Sequence, residues 1–181
     1  MTTSSTVSSP TVRSALADSL DRLQVLLASE LQLARELKAV MLAKQQTLVT
    51  NDVAALQPQS ERELALSARF AATEGARLAG LAGLAGAYGM APESMTMDVL
   101  LRRLAGEPHC AELSALAAEL RCELRELSVI NDDNRHLTQN LLDYAALVVK
   151  LAARASGEVC YGRDGQFAEA PAARALVDDR I

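Results

Sequence analysis

Between Leu16 and Leu48 the apolar residues recur in steps of three and four: Leu16, Leu20, Leu23, Leu27, Ala34, Leu37, Met41 and Leu48. Such steps keep side chains on one face of an α-helix. Within the series, Leu20, Leu27, Ala34, Met41 and Leu48 repeat every seven residues, the spacing of a coiled-coil seam. Glu30 and Lys44 interrupt it. A second stripe, Leu26, Leu33 and Val40, widens the apolar face. Two stripes predict contact with more than one partner helix, which is bundle behaviour. Ser9 followed by Pro10 is a start signal, a cap with proline at the first helical position, and the pattern runs to about Thr50.

Asn51 tolerates a left-handed turn, and Asp52 is able to accept from the free amides of a new helix. The spacing therefore predicts a hairpin, with Pro58 kinking the start of helix two or restarting it at Ser60. Gly75, Gly80, Gly83 and Gly86 each cost up to about 1 kcal/mol in a helix interior. They predict a weak end to that helix, or a place where another backbone comes close. The segment "YGMAPESM" breaks the chain. Ser94 or Thr96 then caps a short helix carrying Val99, Leu100, Leu101 and Leu104, and "AGEPHC" breaks it again. A third long helix is expected from near Ala111 to about Ala155.

Helix three carries the ladder Leu113, Leu116, Leu120, Leu124, Leu127, Ile130, Asn134, Leu137, Leu141, Tyr144, Val148 and Leu151. Asn134 thus sits on the seam itself, and Asn131 flanks it. A polar seam residue sets register or helix number at some loss of stability. Alternatively, that part of the helix is a face that receives another protein's helix. The spacing leaves both open. The fold expected is all-α: a long antiparallel helical hairpin with a third long helix, packed as a coiled-coil-like bundle. Residues 1–10 read as a disordered Ser/Thr-rich lead-in, 11–155 as the bundle and 156–181 as a flexible tail.

Composition agrees. Half of the 181 residues are hydrophobic but only 3% are aromatic, so the core is built from Leu, Ala, Val and Met, which suits paired helices. A net charge of −5 without clustered Lys and Arg argues against nucleic acid. The three cysteines, Cys110, Cys122 and Cys160, lack framework spacing and favour a reducing compartment. The N-terminus shows no signal-peptide pattern. The uncharged run from Leu78 to Pro92 is too short and too rich in Gly and Ala to span a bilayer. A cytosolic protein is expected, without stable membrane insertion.

Two elements near the end of the chain carry a resemblance. "INDDNRHLTQNLLDY" has the form Asn-x-x-Asn-x-x-Leu-x-x-x-Leu, and "CYGRDGQ" follows it. Together with the hairpin around "TLVTNDVAAL", they resemble the FlgN-type flagellar export chaperones over roughly residues 14 to 166. Pro58 and the run "LAGLAGLAGAYG" depart from that family's usual charged second helix. The resemblance implies a cytosolic chaperone. It would bind the helical terminal segment of hook-filament junction (hook-associated) proteins and deliver them to the flagellar type III export gate. Asn131, Asn134, Leu137, Leu141, Tyr144 and Val148 would hold the client. Tyr161, flanked by Gly162 and Gly165 on a turn-prone segment, would dock at the gate; the alternative is a tyrosine folded back onto the bundle. A monomer or weak dimer is expected.

Against this stands a structural scaffold that homo-oligomerises through the helix-one seam. Catalysis finds little to build on. His109 and Cys110 are adjacent after a proline and so are expected in a loop, and His136 lies four residues after Asp132, a pair that more often makes a local surface contact than a metal site. No catalytic residue, metal site or cofactor is expected.

Overall fold

The computed structural model describes residues 10–155. Their order is α1 (Pro10–Thr50), α2 (Val53–Ala85), α3 (Met97–Arg103) and α4 (Pro108–Ala155), with 3-10 turns at Gly86–Tyr88 and Pro92–Ser94 between α2 and α3. The fold is all-α. These residues divide between two compact units whose boundary, Arg135 to His136, falls inside α4.

The turns follow local chemistry. Asn51 adopts φ 53°, the left-handed conformation that asparagine tolerates better than most residues. Asp52 then accepts from the Ala55 amide at 3.1 Å and caps α2. Of the two candidate caps for the short helix, Thr96 serves, accepting from Val99 N–H. Ser94 belongs to the preceding 3-10 turn. The third long helix begins at Pro108 rather than near Ala111, because proline at a first helical position lacks only an amide that would be unbonded anyway.

For α2, one alternative of each of two expectations is set aside. The helix is continuous through Pro58, with no restart at Ser60. Nor does another backbone approach its glycines. A Cβ added at Gly75, Gly83 or Gly86 would meet nothing within 4 Å, and one at Gly80 would meet only Leu23 Cδ1 at 4.0 Å.

Ion pairs show how the long helices of the first unit run. Arg77 meets Glu30 across 47 residues, and Lys44 meets Glu63 across 19, nearer the Asn51 turn. The shrinking separation makes α1 and α2 antiparallel. Between α1 and α4 the separation hardly changes. It is 88 residues for Asp21 with His109 and for Gln24 with Glu112, 84 for Arg35 with Glu119, and 88 for Lys38 with Glu126. Those two helices are therefore parallel, as in an up-down-up bundle.

The α1 seam lies at the centre of the core. Leu20, Leu23, Leu27, Leu31, Ala34 and Met41 cluster with Leu81 and Leu84 of α2 and with Leu113, Leu120 and Leu127 of α4. Leu100 of α3 and its neighbours Met95 and Leu104 complete that cluster. Two residues of the second stripe, Leu33 and Val40, pack on Leu66 of α2. Most of the seam is thus packed within the chain. One rung of the α4 ladder is displaced. Leu124 is 40% exposed, while Glu123 turns toward α1 and binds both Lys38 and Arg35. Those cations hold the Glu123 carboxyl below its ordinary range, Lys38 most of all.

Both polar interruptions of the α1 seam are matched from α2. Lys44 Nζ donates to Glu63 at 2.8 Å. Glu30 is wholly buried, and Arg77 Nε lies 2.9 Å and 2.8 Å from its two oxygens. Burial pushes the Glu30 carboxyl up, against the downward pull of the guanidinium.

Removing one partner of such a pair strands a buried charge. Arg77→Ala is expected to lower stability by about 3–5 kcal/mol, whereas Glu30→Leu with Arg77→Met should be neutral or stabilising. Urea unfolding checks both, and a loss below about 1 kcal/mol for Arg77→Ala would mean that water reaches Glu30. Separately, Gly75→Ala should raise stability by about 0.5–1 kcal/mol, because the helix gains propensity and the methyl meets open space.

Candidate partner-binding face

The seam asparagine sits at the end of the first unit. Asn134 is 5% exposed, and its Nδ2 donates to the Met41 carbonyl of α1 at 2.8 Å. A carbonyl inside a helix keeps a second lone pair after its ladder bond, so a side chain from a neighbouring helix is able to use it. This bond ties α4 to α1 at one register. Asn131, one turn earlier, is exposed. The two asparagines therefore stand in different surroundings, one interior and one facing solvent.

In the second unit α4 changes character. Tyr144 is 66% exposed and Val148 45%, while Leu137 and Leu141 are half-buried. Seam spacing selects these four. It passes over Leu142, Leu147 and Val149, which are exposed as well, and Leu151 extends the face further. What identifies the additional residues is the arrangement of polar side chains. At helical spacing, Gln139, Asp143, Lys150 and Arg154 fall along one narrow strip. The remaining circumference, apart from Thr138 and Asn140, is apolar. A helix that is apolar nearly all round normally belongs in an interior. Contiguous exposed apolar surface of this kind marks a place where something binds.

Elsewhere the chemistry is spent on structure. An open depression of about 560 Å³ between α1 and α4 is lined by Asp21, Gln24, Val25, Ala28, Glu112, Ala115 and Leu116. Its polar groups are engaged in helix pairing, Asp21 with His109 and Gln24 with Glu112. Among the described residues no cluster of His, Cys, Asp and Glu is placed to hold a metal. No described helix is long and apolar enough to cross a membrane. Tyr161, Gly162 and Gly165 lie outside the described residues.

The FlgN family, described as "FlgN protein", matches residues 19–169, most of the chain, and the protein belongs to that family. It is accordingly a flagellar export chaperone, of a family of chaperones rather than enzymes that bind flagellar substrate proteins. No curated protein and no solved structure gives a match.

Asn134→Leu separates register from stability. The variant exchanges the Met41 hydrogen bond for apolar burial and should unfold at the same or higher urea concentration. Hydrogen exchange at α4 amides near Asn134 should quicken as the single register is lost. A stability loss above about 2 kcal/mol would instead make the Met41 bond a net stabiliser.

Proposed function

We propose that this chaperone holds the helical terminal segment of hook-filament junction proteins in the cytosol and brings them to the flagellar type III export gate. One observation carries the reading: the long apolar face of α4 that stands in solvent around Tyr144 and Val148. An amphipathic client helix lying along it would bury Leu137, Leu141, Tyr144 and Val148 at successive turns, in helix-on-helix recognition. Tyrosine is a suitable central anchor, with a flat apolar body and a polar tip. Asn131 would offer its exposed amide to the client at the start of the face. Asn134 would fix where the face begins, by holding α4 to α1. Gate docking falls to Tyr161, Gly162 and Gly165, on the grounds of the family likeness in "CYGRDGQ". The reading takes the working form to be a monomer or weak dimer.

Capture of a purified hook-filament junction protein by the full chain tests the face. Tyr144→Ala and Val148→Ala should each weaken binding about tenfold or more while leaving helix content unchanged. A chain ending at Arg154 should keep the client and lose the gate. Undiminished binding by the Tyr144→Ala, Val148→Ala double variant would sink the face assignment.

A further inference from the structure

The exposed part of α4 is complementary to itself when reversed. Asp143 and Lys150 are seven residues apart and hold equivalent positions on one flank of the helix. In an antiparallel helix pair, equivalent flank positions of the two copies face each other; in a parallel pair they do not. With Tyr144 of one copy packed on Leu147 of the second, the register is set. Asp143 then meets Lys150 of the second copy, and two-fold symmetry repeats the contact. On the other flank the same register brings Leu141 against Val148. A parallel pair in register would set Asp143 beside Val148, with no charge to answer it.

The observed exposures fit a face awaiting this partner. Tyr144, Leu147, Val148 and Leu151 are 66%, 53%, 45% and 53% exposed. Asp143 and Lys150 are exposed too, with Asp143 Oδ1 accepting from Gln139 Nε2 at 3.0 Å. That bond engages one oxygen of the Asp143 carboxyl, at the edge of the apolar face. We propose that this segment of α4 pairs with its counterpart in a second copy of the chain, antiparallel, about a two-fold axis near Ala145 and Ala146. Such an interface is isologous, each patch being its own complement. A single helix pair a few turns long buries little area, so the dimer is weak and concentration-dependent. The pairing stands without the proposed client. Where Tyr144 and Val148 also receive an export client, dimer and client exclude each other, and that consequence alone rests on the proposed function.

Sedimentation equilibrium on the full chain tests the pairing through its charges. The wild type should associate as concentration rises. Asp143→Lys and Lys150→Asp each set like charges opposite one another twice, and each should weaken self-association by roughly tenfold or more. Mixed in equal amounts, the two single variants should associate with each other, because all-lysine then faces all-aspartate; the double variant should recover as well. Circular dichroism confirms that these surface changes leave the helices intact. The proposal is overturned if the wild type stays monomeric at the highest concentration reached. Association indifferent to the single charge changes, or no recovery on mixing, overturns it equally. Loss of client binding in a separate capture assay changes none of these outcomes.

Discussion

A carboxylate with no contact with water, Glu30, lies in the middle of the leucine seam of α1, and the guanidinium of Arg77 is the group that makes this tolerable. Leucine seams pair helices strongly but do not choose among registers, because one leucine rung resembles the next. An ionised side chain in such a seam has few acceptable positions. Only the register that brings Arg77 alongside avoids a stranded charge. Lys44 with Glu63 repeats the constraint nearer the turn. Together they fix how α2 lies on α1, and the core around Leu23, Leu27 and Leu81 follows.

The α1–α4 pair is aligned by other means. Lys38 and Arg35 gather Glu119, Glu123 and Glu126 along the outside of the contact, and these partly exposed pairs contribute modestly to stability. Inside it, Asn134 holds the Met41 carbonyl. The three long helices are thus aligned chiefly by polar groups, while leucine and alanine supply the burial. Aromatic residues are scarce in the chain, and only partly buried rings, Phe70 and Tyr88, pack against the main core, so directional bonds carry much of the alignment.

Past Asn134 the same helix stops behaving as part of a core. Its apolar positions continue at the same spacing, but those from Leu142 onward stand in solvent. Periodicity cannot tell these regions apart, because a buried seam and an exposed one have the same pattern. Solvent exposure does. It sets Tyr144, Val148 and Leu151 apart from the buried rungs, and adds Leu142, Leu147 and Val149, which lie off the ladder.

Much of the architecture was legible in the chain alone. Steps of three and four along Leu16–Leu48 and Leu113–Leu151 specify helices, since only the helical period keeps them on one side. Asn51, Asp52 and Pro108 mark their ends, because the φ of 53°, the free amides of a new helix and the missing proline N–H are local properties. The family likeness was legible too, in the asparagine pair and the Tyr-Gly element. Tertiary structure alone decided which polar residues answer each other. Glu30 and Lys44 read as interruptions until Arg77 and Glu63, brought by α2 from far along the chain, proved to be their partners. It also decided that Glu123 replaces Leu124 at one rung, and that Asn134 is interior while Asn131 is not. These outcomes depend on what lies opposite a residue across two helices, and one-dimensional spacing carries no information about the facing surface.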